Sequence, residues 1–167
     1  MALMATSGDL PDGTNALRTV AGAMSTKVVY GNECSISVAR RDAGYHSRPH
    51  YHESEQLNYV VDGQMWVFIQ DEGFIARAGD FFRVPANAVH WAFNDSDQPV
   101  TAFQVHAPPL EPERAAARGL YRDDEDEQPR GNSRNIAVED ERYRLVEQRA
   151  LAATTDAGAA ATGPRTE

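Results

Sequence analysis

Between Lys27 and Pro108 the apolar residues fall in short runs rather than in a helical period: "KVVYG", "CSISVAR", "LNYVV", "MWVFI", "FFRV", "VHWAF" and "VTAFQVH". The runs are rich in β-branched and aromatic residues, the types that fit a pleated, half-buried surface. Turn formers separate them: Asp42-Ala-Gly44, Asp62-Gly63, Asp71-Glu-Gly73, Ala78-Gly79-Asp80 and Asn94-Asp-Ser-Asp97. Seven such runs in about 80 residues predict an all-β domain, an antiparallel sandwich or barrel.

The flanks have a different texture. Residues 1–22, rich in Ala, Gly, Ser and Thr, read as a flexible N-terminal arm, and 23–110 as the barrel. Residues 111–152 form a C-terminal extension. In it Glu113 to Tyr121 can make a short helix, Asp123 to Glu127 an acidic linker, and "VEDERYRLVEQRALA" a helix with Tyr143, Leu145, Val146 and Leu151 on its apolar side. Residues 153–167 read as a disordered tail. The strand set has no second copy, so 167 residues amount to one domain.

Charge narrows the function classes. A formal net charge of −9 and a pI near 5.0 argue against a nucleic-acid groove or an anionic membrane surface, which both need clustered Lys and Arg. "MALMATSGDL" lacks a basic region followed by an apolar run, and no stretch reaches the roughly 20 apolar residues of a membrane span. The expectation is a soluble, cytoplasmic protein. Its one cysteine, Cys34, excludes an internal disulfide and is expected as a small buried apolar residue.

Candidate chemistry concentrates in "GYHSRPHYHESEQLNYVVDG", residues 44–63. Strand side chains alternate between faces, so His50, His52 and Gln56 share a side, while Glu55 points the other way unless a bulge intervenes. Two imidazoles about 7 Å apart along a strand can both turn to one ion. His90, at the start of "HWAF", offers a third. Burying three such rings without a metal is costly, because each needs partners and none can charge freely. Three imidazoles and an amide oxygen suit one divalent transition metal (Zn, Mn, Fe(II) or Ni) and leave positions open for a small-molecule substrate.

The spacing resembles the two motifs of the cupin superfamily. Gly44, His50, His52, Gln56 and Gly63 correspond to the first; Gly79, Pro85, His90 and Asn94 to the second, with fifteen residues between them. The resemblance covers roughly residues 28–110 and implies a double-stranded β-helix, or jelly roll, with His50, His52, Gln56 and His90 as metal ligands. Two positions depart from the pattern. Asn87 stands where glycine is common, and Asn tolerates left-handed turn geometry. Gln56 stands where the family usually has glutamate. The branches that share this substitution include cupins opening unsaturated uronates in pectin breakdown, manganese hydroxynitrile lyases and some polyketide cyclases.

A glutamate would offset one unit of the ion's charge, whereas a glutamine offsets none. The more positive centre stabilises an enolate or alkoxide better and resists oxidation, which favours Lewis-acid chemistry over dioxygen activation. His106, in "AFQVHAPP", is either a structural histidine or a general acid or base. Trp66 and Phe68, of one parity, are either core or the wall of a substrate pocket, and His46 either a loop residue or a group at its mouth. Arg48 and Arg83 are either solvated surface arginines or pocket groups that meet a substrate carboxylate or phenolate. Tyr59 and Trp91 face away from the ligands and are expected in packing or a subunit contact. The resulting expectation is a homodimeric metal-dependent isomerase, cyclase or lyase acting on a carbonyl, enol or phenol. The alternatives are a quercetinase-type iron or manganese dioxygenase and a non-catalytic ligand-binding cupin.

Overall fold

A computed structural model describes residues 6–8, 10, 12–13, 19–31, 33–109, 133–135 and 141–161. Its elements run β1 (Asp12–Gly13), β2 (Thr19–Ala21), β3 (Met24–Tyr30), β4 (Ser35–Arg41), β5 (His46–Ser47), β6 (His50–His52), β7 (Glu55–Asp62), β8 (Gln64–Ile69), β9 (Glu72–Arg77), β10 (Phe81–Val84), β11 (His90–Phe93), β12 (Val100–Ala107), β13 (Ser133–Asn135) and α1 (Glu141–Ala161). All pairings are antiparallel and form two sheets. One has the order β1-β3-β4-β12-β7-β10. The other runs β13-β6-β11-β5-β2, with β8 on the far side of β11 and β9 beyond it. This is the expected two-sheet jelly roll.

The turn chemistry explains several connections. Gly63 joins β7 to β8 at φ +80°, and a Cβ there would lie 2.7 Å from the Pro99 carbonyl oxygen. Asn87 adopts φ 61°, the left-handed geometry that Asn tolerates, and donates its backbone N–H to the His52 carbonyl.

The barrel interior has two layers along the strands. At one end Val60, Met65, Val67, Ala76, Val100 and Ala102 form a dry core. At the other, the same inward parity brings Gln56 and Asn58 from β7, Gln104 and His106 from β12, and Ser35 and Ser37 from β4. Successive side chains must alternate, so a strand that buries Val60 also buries Asn58 and Gln56.

The second apolar cluster lies outside the barrel. Trp66, Phe68 and Trp91 project from the outer face of β8 and β11, stacked at 5.7 and 4.9 Å between ring centroids, and Tyr143 and Val146 of α1 cover them. Gly73 makes room for this: a Cβ there would lie 2.7 Å from Ala150 and 2.8 Å from the Phe68 ring. No helix among the described residues is long and apolar enough to cross a membrane.

Several expectations need correction. Residues 19–21 of the supposed arm pair with β5, and a Cβ on Gly22 would meet the Tyr45 backbone at 2.5 Å, so this end of the arm is part of the barrel. The tail drawn from 153 begins inside α1, which continues to Ala161. The apolar side of α1 is Tyr143, Val146 and Ala150, with Leu151 beside it, while Leu145 is exposed. Asp71-Glu-Gly73 is not a turn throughout: the reversal lies at Gln70 and Asp71, and Gly73 is within β9. Cys34 is exposed, not buried. The helix expected at Glu113 to Tyr121 and the acidic linker lie outside the described residues.

Candidate metal centre

His50 and His52 occupy the inward positions of β6, with Tyr51 between them facing out. His90 opens β11 and sits directly opposite His50 in the ladder. The three rings approach with centroids 4.2 Å apart for His50 and His90, 4.8 Å for His52 and His90, and 6.1 Å for His50 and His52. One nitrogen from each lies within 4.8 Å of the others, an arrangement that could hold a metal ion.

The backbone fixes which nitrogen that is. Nδ1 of His50 lies 2.8 Å from the Arg48 carbonyl oxygen, Nδ1 of His52 2.8 Å from that of Ser54, and Nδ1 of His90 2.9 Å from that of Ala88. A carbonyl can only accept, so each Nδ1 must carry the proton and donate it. Each neutral ring then keeps its Nε2 lone pair, the form in which imidazole ligates.

Electrostatics agrees with neutral rings. Burial pushes His50 down to about 4, helped by His52 and Arg41. Burial also lowers His52 against the Ser54 carbonyl, and it puts His90 well below the ordinary histidine value, with His50 and His52 adding repulsion. His106, opposite Gln56 in the ladder and 5.3 Å from His52 between ring centroids, is pushed by burial and by His52 and His50 to about 3.

Gln56 completes the cluster. Its Oε1 lies 3.2 Å from Nε2 of His52. With the His52 proton on Nδ1, these are two acceptors facing each other, which is unfavourable unless a cation draws on both lone pairs. This donor set therefore fits a divalent ion. The Gln56 amide is oriented from behind: Nε2 donates to Asn58 Oδ1 at 2.6 Å, and Gln104 Nε2 donates to the same oxygen at 3.2 Å. Glu55 faces outward in an ion pair with Arg83 and takes no part.

The remaining sequence candidates separate. His106 is buried inside the barrel beside the cluster. Trp66 and Phe68 are not pocket walls; they lie beneath α1, because the inward positions of β8 belong to Met65 and Val67. His46 is not at a pocket mouth either. It packs on Phe93 and meets Glu147 of α1 at 3.2 Å; Glu147 also accepts a hydrogen bond from Trp91 Nε1 at 2.9 Å. Arg48 is half-buried and contributes its carbonyl to His50. Asn94, the last residue of the second motif, is wholly buried and ties the loops together through the Asp42 and Gln98 carbonyls, at 3.0 and 2.8 Å.

The sequence reading missed Asn58, Gln104 and Arg41, all buried and all on the inward parity of their strands. Polar residues at inward positions were the available signal.

The comparisons agree with this geometry. Residues 38–106 match the cupin domain family. Acireductone dioxygenase of Leptospira interrogans is 37% identical over 60 residues, so the match spans only a third (33%) of that enzyme's length and 33% of this chain. Among solved structures, an RmlC-like cupin of Shewanella frigidimarina superposes with a TM-score of 0.57 at 20% identity, over 66% of this chain and 95% of that one. The polyketide cyclase RemF of Streptomyces resistomycificus superposes with a TM-score of 0.61 at 14% identity, over 88% of this chain and 94% of that one. Motif spacing, sheet order and the family match converge: residues 38–106 are a cupin domain.

Proposed function

We propose that this protein is a metal-dependent enzyme that uses Lewis-acid chemistry on a small organic molecule with a carbonyl, enol or phenol group, in an isomerisation, cyclisation or lyase reaction. The observation that carries the reading is the convergence of three Nε2 lone pairs and the Gln56 oxygen. His50, His52, Gln56 and His90 would hold one divalent ion per chain. Such an ion supplies stabilisation of negative charge developing on a substrate oxygen.

The chain's own residues do the rest. The neutral Gln56 leaves the charge of the site undiminished for an anion. His106, kept uncharged by burial, would take the proton from the substrate: an enolate formed beside it would supply the opposite charge that raises its proton affinity. The fold likeness to a polyketide cyclase is consistent with this scheme. A second reading, dioxygenation, draws support from the identity to acireductone dioxygenase over a third of the chain. Oxygen uptake during turnover separates the two. Lewis-acid chemistry proceeds unchanged without oxygen, and consumption of one oxygen per substrate would overturn it in favour of the dioxygenase.

We also propose that two copies pair through the outer face of the six-stranded sheet. Val38, Phe103, Tyr59 and Phe81 form one cross-strand row there, and Ile36, Val105 and Leu57 the next. Phe81 is 79% exposed. Contiguous apolar surface of this kind marks an interaction site, whereas isolated exposed residues do not.

A further inference from the structure

We propose that Arg41 is the anchor for a carboxylate on the substrate, so that the molecule turned over at the metal centre is an organic acid. This inference rests on the functional reading above and names its substrate class. Arg41 takes the last inward position of β4, is 6% exposed, and leaves two guanidinium nitrogens, Nε and Nη1, buried without a hydrogen-bond partner. No carboxylate among the described residues forms an ion pair with it. Its aromatic neighbour is Tyr45, whose ring centroid lies 5.7 Å from the guanidinium carbon. Arginine keeps its charge, so burying it without an anion is among the costlier arrangements a fold can hold.

The placement says where the missing anion belongs. The other inward residues of β4 are Ser35, Ser37 and Ala39, all small; Ser35 stands opposite His106 in the ladder and Arg41 further along the same inward face, opposite Val100. The Ser35 hydroxyl is a further buried polar atom without a partner. Arg41 and His106 both occupy buried inward positions, on the paired strands β4 and β12, so guanidinium and metal site face one interior. A substrate with its reacting oxygen at the histidines and a carboxylate at Arg41 satisfies both ends. Charge-assisted hydrogen bonds from a guanidinium are the usual means of holding such a group.

The test uses the full chain stripped of metal, so that a carboxylate cannot be held by an ion. Acetate, pyruvate and benzoate are titrated by calorimetry and thermal melting, with acetamide and benzamide as neutral controls. At least one carboxylate should bind and raise Tm with concentration, while the amides do not. Arg41→Met should weaken that binding at least tenfold. It should leave Tm in the absence of ligand equal to or above wild type, since it removes an unpaired buried charge. A merely structural arginine would lower Tm on replacement. Should Arg41→Met fail to fold, the arginine Nε–H resonances of the wild-type protein decide: a shift of a buried one on adding the carboxylate supports the site. Absence of binding by all three carboxylates, or binding unchanged in Arg41→Met, overturns the proposal. Metal content of the same variant, measured separately, shows whether a failure lies with the anchor or with the metal reading.

Discussion

Gln56 and Asn58, two positions apart on β7, are joined amide to amide: Gln56 Nε2 donates to Asn58 Oδ1 at 2.6 Å. That bond turns the Gln56 oxygen toward His52. It also makes the site selective for an amide. In Gln56→Glu a carboxylate oxygen would face Asn58 Oδ1, and relief requires both Asn58 and Gln104 to turn their amides, setting Asn58 Oδ1 toward the Phe82 carbonyl. The variant should still load metal, because a carboxylate is a good ligand for a divalent ion. It should lose about 1–3 kcal/mol of stability from the unsatisfied acceptor. Turnover should fall on the order of a hundredfold as the added negative charge weakens oxyanion stabilisation. Wild-type turnover at full metal content would remove the main support for Lewis-acid chemistry.

Asn58→Leu tests the orienting bond without changing any ligand. Freed from Asn58, the Gln56 amide can rotate, and metal affinity should drop about 10- to 100-fold, the range for lost outer partners of a ligand. Competition with a chelator measures it. Asn58→Asp keeps an acceptor for both glutamines and should recover part of the affinity; equal loss in both variants would point to packing instead.

Much of this site was legible because parity and motif coincide. His50, His52, Gln56 and His90 needed only alternation along strands and the spacing of the two histidine motifs. Alternation alone does not say which parity is inward, so it leaves Trp66 and Phe68 open between core and pocket wall. They are core, but in a second apolar layer that α1 covers outside the barrel, whose interior keeps Met65 and Val67. β4 misleads in the opposite way: its apolar Ile36 and Val38 face outward, and its small and polar residues, with Arg41, face in. The proposed pairing of two copies and the proposed carboxylate at Arg41 would both call for such an inverted amphipathic pattern.

Acid should destabilise the metal-free protein well above the carboxylate range. Burial holds His50 at about 4 and His106 at about 3 in the folded state, against about 6.5 in the unfolded chain. As pH falls below about 6.5 the unfolded chain takes up protons that the folded one refuses, so stability is full above 6.5 and declines toward 4. For His50 alone the loss is on the order of 3 kcal/mol. Urea melts with chelator at pH 7.5, 6 and 5 should show a falling midpoint, and added metal should offset the fall at pH 6 by blocking protonation. Midpoints that stay level from 7.5 to 5 would contradict neutral buried rings.

Gly73 ties the C-terminal helix to the barrel through the absence of a side chain. A methyl group there would sit 2.7 Å from Ala150 and 2.8 Å from Phe68, so Gly73→Ala must displace α1 or the ring. An overpacked contact of this sort costs about 1–3 kcal/mol. Protease digestion should cut within α1 faster in the variant, and the fluorescence of Trp66 and Trp91, which α1 covers, should shift toward that of exposed tryptophan. Unchanged spectra and digestion would mean the helix is held elsewhere.

Phe81 and Phe103 test the proposed pairing of two copies. They stand on either side of Tyr59 in one row across β10, β7 and β12, with Phe81 and Tyr59 in ring contact at 4.6 Å. Both are exposed, and neither belongs to the metal cluster: Gln56 and His106 face the opposite side of β7 and β12, and the three histidine ligands stand on β6 and β11. Replacing both by Asp puts two negative charges into each half of a self-complementary contact, so like charges meet across a two-fold axis and must also be desolvated. The double variant should run as a monomer in light scattering at concentrations where wild type is a dimer. Its metal content should not change, because the inward face of β7 and β12 is untouched. A wild-type chain that is monomeric at high concentration, or a variant whose mass matches a wild-type dimer, would assign this face to something other than a second copy.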